Sequence, residues 1–269
     1  MIIIGEKING TRKAVAKSIL ERDKDFIQNL TKEQVEGGSS YLDVNAGTAP
    51  EREPDDMVWL VDTIQEVTDL PLCLDSANPK AIEAGLAHVN KVPLINSVSG
   101  EKPRIDNILP LALEHKTGLI LLALDDDQGI PDTCTGRMKI VDHLVGLALN
   151  GGLLEEQLFI DPLVTAISTG TDNATVTYET IKAIKSSYPK AYVTCGLSNI
   201  SFGMPLRSLI NKHFATMAIQ AGLDSAIINP NNRELKEAIM ASELLMGQDR
   251  HCLNFNRAYR ANTIGPVNA

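Results

Sequence analysis

Acidic and amide side chains recur in this sequence just where short apolar runs end. Glu6 and Asn9 follow Ile2 to Ile4, Asp43 and Asn45 belong to the end of the run Tyr41 to Val44, Asp75 follows Leu72 to Leu74, and Asn96 follows Leu94 and Ile95. Asp125 succeeds Leu119 to Leu124, Asp161 succeeds Leu158 to Ile160, Ser198 and Asn199 come shortly after Tyr192 to Thr194, and Asn229 comes after Ala226 to Ile228. If these runs are neighbouring parallel strands, their polar ends converge on one mouth. Ionised carboxylates only accept hydrogen bonds, whereas amides donate and accept.

What the set lacks narrows its chemistry. His88, His115, His143, His213 and His251 all fall in helical or C-terminal segments, and no lysine closes a run. That argues against a Ser/His/Asp nucleophile system and against a Schiff-base aldolase. Neither GxGxxG nor GxxxxGKS occurs, so a nucleotide phosphate cradle is not expected. Carboxylates and amides suit a neutral heterocycle with several N–H donors and ring acceptors. A pterin fits: one carboxylate accepts from its 2-amino group and N3–H, and amides satisfy its ring nitrogens and carbonyl. Two members have a plainer use. Asp125, beside Asp126 and Asp127, reads as a solvated loop, and Asn229, in Asn229-Pro230-Asn231-Asn232, reads as a turn and cap residue.

The elements that must position these residues alternate along the whole chain. Each apolar run is short enough for a strand buried on both faces of a parallel sheet. Helix-periodic segments separate the runs: Pro54 to Val67, Pro79 to His88, Ile105 to His115, Met138 to Leu149, Val176 to Ser187, Pro205 to Ala221 and Glu234 to Met246. The first unit carries two pieces, Thr11 to Leu20 and Lys24 to Glu36, broken near Arg22 and Asp23. The alternation predicts eight β then α units, and hence one (β/α)8 TIM barrel over residues 1–269, with no linker to divide it. Barrel enzymes carry their chemistry at the carboxyl ends of the strands, where the polar residues fall.

Composition sets outer bounds. A net charge of −9 over 269 residues argues against nucleic acid or an anionic membrane as partner, since either needs a positive face. Cys73, Cys134, Cys195 and Cys252 are scattered with no CxxC pair, which suggests a reducing cytoplasm and no zinc site of the usual spacing. Met1 to Ile4 is too short for a signal-peptide core, and Gly118 to Leu124 falls far below the roughly 20 residues of a membrane helix.

Taken in order, Gly5-Glu6-Lys7-Ile8-Asn9-Gly10, Leu42-Asp43-Val44-Asn45, Leu74-Asp75-Ser76, Ile95-Asn96-Ser97, Ile160-Asp161-Pro162 and Gly196-Leu197-Ser198-Asn199 form a recognisable series. It resembles the pterin-binding methyltransferases that exchange a methyl group between methyltetrahydrofolate and a corrinoid protein. Those include the acetyl-CoA pathway enzyme acting on a corrinoid iron-sulfur protein and the second methyltransferases of O-demethylase systems. The folate domain of cobalamin-dependent methionine synthase and dihydropteroate synthase are similar at greater distance. The resemblance implies that Asp75, Asn96, Asp161 and Ser198 hold the pterin, and that Asn199 is the catalytic amide at N5, the atom bearing the methyl group. Glu6, Asn9, Asp43, Asn45 and Arg207 are further candidates, with Arg207 or Lys212 meeting the glutamyl tail. It also implies a homodimer, no metal in this chain, and cobalamin carried by the partner corrinoid protein. Transfer to and from the cobalt share one transition state, so either direction is implied.

Three other readings stand beside this one. A dihydropteroate synthase-like enzyme would carry a Ser-x-Arg signature where this chain has Leu197-Ser198-Asn199-Ile200. A magnesium barrel enzyme could draw on Asp43, Asp75 and Asp161 as hard oxygen ligands. A non-catalytic folate-binding protein would need the same pterin contacts. Leu124-Asp125-Asp126-Asp127 is more acidic than the family pattern leads one to expect and would bear on which corrinoid partner docks.

Overall fold

The computed structural model describes residues 1–266. Its strands are β1 (Ile2–Asn9), β2 (Tyr41–Asn45), β3 (Leu72–Asp75), β4 (Leu94–Gly100), β5 (Gly118–Asp125), β6 (Leu158–Asp161), β7 (Tyr192–Val193) and β8 (Ser225–Ile228). They pair in parallel in the order β7-β6-β5-β4-β3-β2-β1-β8. Closure comes at β7 and β8, where Gly196 bridges Ile227 in parallel. The Ile227 amide donates to the Cys195 carbonyl at 2.9 Å, and the Val193 amide donates to Asp224 Oδ1 at 2.7 Å. The chain is a single (β/α)8 barrel.

Successive side chains of a strand face opposite ways. The outward set, including Leu42, Val44, Leu74 and Ile95, packs against the helices in one large core. The inward set holds Ile4, Cys73, Leu94, Ile120 and Phe159, joined by Tyr41 and Tyr192. Phe159 stacks on Tyr192 with centroids 4.7 Å apart and meets Tyr41 edge-on at 6.0 Å. Tyr41 and Tyr192 open their strands and Phe159 is second in its own, so the amino-terminal half of the barrel is plugged by aromatic and apolar groups. Two residues further along each strand, the same inward face carries Asp43, Asp75, Asn96 and Asp161 in place of Tyr41, Cys73, Leu94 and Phe159.

The helices are α1 (Lys13–Glu21), α2 (Lys24–Gly37), α3 (Glu53–Gln65), α4 (Pro79–Leu86), α5 (Lys102–Asn107), α6 (Leu109–His115), α7 (Cys134–Asn150), α8 (Asn173–Ser187), α9 (Arg207–Ala221), α10 (Arg233–Leu245) and α11 (Leu253–Arg260). The break in the first unit has a local cause: Arg22 takes a left-handed conformation after α1, and the Asp23 carboxylate caps α2 by accepting from the Phe26 amide at 3.1 Å. The buried Asp56 of α3 then ties this corner down, pairing with Arg22 at 2.7 Å and with Arg52 at 2.9 Å.

Several boundaries differ from those expected. β1 runs on to Asn9 across a register shift between Gly5 and Ile8, so Glu6 and Asn9 belong to the strand and do not follow it. β4 likewise continues through Asn96 to Gly100. A polar residue on the inward face ends an apolar run without ending the strand. The helix expected over Ile105 to His115 is two, because Pro110 enters at the start of α6. α7 starts four residues before Met138, where Thr133 Oγ1 caps it by accepting from the Gly136 amide at 3.2 Å. α11 was not expected, being short and weakly apolar.

Gly10 sits where β1 meets the end of β2, its amide donating to the Asn45 carbonyl at 2.8 Å. A Cβ there would stand 1.8 Å from the Ala46 carbonyl oxygen, a backbone atom that cannot swing aside. Gly10→Ala is expected to lower stability by about 1 to 3 kcal/mol, the usual range for overpacking. Chemical denaturation measures it, and an unchanged midpoint would show that the two strand ends can part without cost.

Candidate active site

At the carboxyl ends of the strands the barrel opens into a cavity of about 350 Å³. β1 supplies Glu6 and Asn9, β2 supplies Asp43, β3 supplies Asp75 and β4 supplies Asn96, while Gly196, Ser198 and Asn199 come from the segment after β7. A larger hollow of about 450 Å³, between Glu33, Asn231, Arg233 and Asn262, lies elsewhere and gathers none of the strand-end residues.

Hydrogen bonds knit the floor across strands. Asn45 Nδ2 donates to Asp75 Oδ2 at 2.9 Å, and Asn96 Nδ2 donates to Asp43 Oδ1 at 3.2 Å. Each carboxylate therefore receives an amide from a different strand. Asn45 Oδ1 is buried with no hydrogen-bond partner among the described residues, and Asn45 does not line the cavity. Burial, and then the neighbouring Asp75, push the Asp43 carboxyl well above the usual carboxylate range, against the Asn96 and Cys73 hydrogen bonds. Burial also raises Asp75, opposed by the Asn45 amide and the Arg104 guanidinium. Arg104 is itself fixed by donating to the Ser76 carbonyl at 3.0 Å. Glu6 is raised by burial against the fields of Arg12, Lys7 and Arg207. Among the described residues no three carboxylate, histidine or cysteine side chains are grouped to hold a metal ion.

The segment after β7 forms a 3₁₀ turn over Leu197–Ser201. A Cβ on Gly196 would lie 3.0 Å from Asn199 Nδ2, so the glycine makes room for that amide. Arg207 Nη2 donates to the Ser198 carbonyl at 2.9 Å, and its Nε to Ser201 Oγ at 3.0 Å. Arg207 thus holds the turn that carries Ser198 and Asn199. Lys212, on α9, does not line the cavity.

Asp161 does not line the open cavity and is only 6% exposed. Its Oδ1 accepts from the Leu163 amide at 2.7 Å, and the Gly196 amide donates to the same carboxylate. Gly196 therefore links Asp161 to the cavity wall. Asp125 and Asn229 are turn residues, as expected: Asp125 Oδ1 accepts from the Gln128 amide at 2.8 Å and Asn229 Oδ1 from the Asn231 amide at 3.1 Å. Asp126 meets the first turn of α5, accepting from the Lys102 amide at 2.8 Å. Sequence reasoning missed Thr11 and Arg12, which line the cavity just beyond Asn9. Their signal was the Asx turn at Asn9, whose Oδ1 accepts from the Thr11 amide and hydroxyl at 3.0 and 2.6 Å.

Burial lifts the Asp161 carboxyl from 3.8 to about 7, outweighing the Leu163 and Gly196 amides and the Arg137 charge. The folded state thus holds this proton more tightly than the unfolded chain. The resulting stabilisation is fully present below the ordinary carboxylate value and is lost as pH rises through about 7. Asn cannot titrate, so Asp161→Asn should gain on the native protein by on the order of 2 to 4 kcal/mol between pH 4 and pH 8. Unfolding free energies across that range decide it. A difference that stays constant with pH would mean that Asp161 keeps its ordinary acidity.

Residues 5–229 match the family described as "Pterin binding enzyme". The chain is 40% identical over 270 residues, and over the full length of both proteins, to the methylcorrinoid:tetrahydrofolate methyltransferase of Eubacterium limosum. It is 29% identical over 242 residues to the methionine synthase of Mycobacterium leprae, matching 85% of this chain and 20% of that larger protein. Among solved structures, the fold is similar to dihydropteroate synthase from Clostridium difficile (TM-score 0.70, 15% identity, 91% of this chain and 96% of the other). It is also similar to the Coxiella burnetii dihydropteroate synthase in complex with pteroic acid (TM-score 0.69, 15% identity, 93% of each chain). With the family matched across nearly all of the barrel and around the polar mouth just described, the chain belongs to the pterin-binding enzymes.

Proposed function

We propose that this enzyme moves a methyl group, in either direction, between N5 of methyltetrahydrofolate and the cobalt of a corrinoid held by a partner protein. Residues 1–269 would act as one pterin-binding unit. The observation that carries the reading is the full-length 40% identity to a methylcorrinoid:tetrahydrofolate methyltransferase. The donor and acceptor inventory of the mouth supports it. Asp75 would accept from the 2-amino and N3–H pair, with Asn96 meeting the remaining ring groups and Asn45, outside the cavity lining, holding Asp75 in place. Asp161 keeps free lone pairs beyond the two amides it accepts. Ser198, Glu6, Asn9 and Asp43 complete the wall, and Arg207 would act on the tail only from the rim. The same reading carries the expectation of a homodimer, a cytoplasmic setting and no metal of the chain's own; no helix among the described residues is long and apolar enough to cross a membrane.

The partner's corrinoid supplies the methyl acceptor or donor, and this chain's work lies at N5. As the methyl group leaves, the C–N bond breaks and its electron pair stays on nitrogen, which must take up a proton. No histidine or lysine lines the cavity. With that proton drawn from solvent, Asn199, exposed at the rim, would stabilise the developing N5–H by accepting from it or the neutral amine by donating to it. Because this contact strengthens as charge changes, it favours the transition state over the bound folate. A dihydropteroate synthase-like reaction is the second reading, favoured only by the shared fold, and the sequence Leu197-Ser198-Asn199-Ile200 speaks against it.

Single-turnover methyl transfer from methyltetrahydrofolate to cob(I)alamin tests the activity itself: no transfer at all would sink the proposal. In the same assay, Asn199→Ala should lower the rate by about 10² to 10³, the effect of losing one preorganised polar group. A wild-type rate at saturating folate would move the activating role from Asn199 to Asp75.

A further inference from the structure

Arg137, on α7, is the largest of the side chains buried to less than 2%, with 1% of its surface exposed. It forms no ion pair among the described residues. Its donors go to backbone carbonyls of two separate loops: Nε to Pro131 at 2.8 Å, and Nη1 to Pro162 at 2.9 Å and Leu163 at 2.6 Å. A guanidinium withdrawn from water without a carboxylate against it is costly. Surface chemistry does not explain it.

Its position relative to Asp161 does. The carbonyls of Pro162 and Leu163 belong to the two residues that follow Asp161, and the Leu163 amide donates to Asp161 Oδ1. Leu163 sits at φ 63°, a left-handed conformation that a branched side chain does not adopt unless held. Arg137 holds it from behind, gripping the carbonyl of the residue whose amide grips the carboxylate. We propose that Arg137 is the positioning residue for Asp161, fixing the Asp161-Pro162-Leu163 turn and supplying the positive charge that keeps the carboxylate able to accept pterin donors. This rests on the pterin reading of Asp161, and it adds the group that holds the turn carrying that carboxylate.

Three parts of the chain bring groups that act on Asp161. From α7 comes Arg137, whose field lowers the carboxyl; from the segment after β7 come the Gly196 amide and the buried Cys195 thiol, itself pushed up by burial and then by Asp161; from its own loop comes the Leu163 amide. Asp132 and Cys134 stand near Arg137. Arg137 is the only cation in the set, so its loss leaves burial opposed by two amides alone.

Two variants separate charge from clamp. R137Q removes the charge, and R137K keeps it but replaces the planar fork by one ammonium that cannot serve three carbonyls in the same geometry. In the unliganded protein, the carboxyl ¹³C titration of Asp161 should move upward by about one unit or more in R137Q and stay near the wild-type midpoint in R137K. Calorimetric titration with methyltetrahydrofolate should show R137K binding about tenfold or more weakly, through lost orientation. Added to D161N, R137K should cost little further. If R137Q fails to fold, R137K and the double variant R137K/D161N carry the test. An unmoved carboxyl midpoint in R137Q, or effects of R137K and D161N that simply add, would overturn the proposal. Wild-type folate affinity in D161N would overturn the pterin reading instead, whatever the carboxyl titration shows.

Discussion

A carboxylate on the inner face of a closed barrel has lost its water, and the site is organised around that loss. The aromatic and apolar plug of Tyr41, Phe159 and Tyr192 closes one end, so the inward residues above it can be hydrated only from the mouth. Asp43, Asp75 and Asp161 all occupy this layer or its edge, and burial is the largest influence on each. The protein meets part of the demand with Asn45, Asn96 and the amides of Leu163 and Gly196. The remaining lone pairs of Asp43 and Asp75, which line the cavity, favour a ligand rich in N–H groups. The free enzyme bears the cost in stability, a common condition of binding sites.

Backbone geometry makes the arrangement possible at two tight places. At Gly10 the end of β1 lies against Ala46 so closely that no side chain fits, which sets Asn9 and Asn45 side by side across the strands. At Gly196 the chain crosses from β7 toward the rim, bridging Ile227, donating to Asp161 and making room for the Asn199 amide. Barrel closure and site assembly thus share one residue, and β7 can be only two residues long because this irregular segment completes its pairing.

Much of this was readable from residue order. A period of two places Tyr41, Asp43 and Asn45 on one face, and polar residues closing successive apolar runs mark one rim. The strand boundaries were harder, because an inward polar residue such as Asn96 looks in sequence like the end of a strand that in fact continues to Gly100. Arg137 was invisible for a different reason: its partners are carbonyls of residues 131, 162 and 163, and no pattern of side chains announces a bond to distant backbone. The two-helix form of the fourth crossover follows from Pro110, although the apolar period runs through it. Thr11 and Arg12 went unnoticed because the helical period was extended over them, whereas α1 begins only at Lys13.

A pterin can seat in this mouth only if the buried acceptors match its ring donors. Calorimetric titration of methyltetrahydrofolate into Asp75→Asn tests this most directly, since that change keeps the shape and turns one acceptor oxygen into a donor facing ring N–H groups. Opposing donors in a buried site leave both unpaired, so affinity should fall by about tenfold or more, while thermal stability at neutral pH is kept or raised. Binding of Asp75→Asn at wild-type affinity would contradict the assignment of this mouth to the pterin ring.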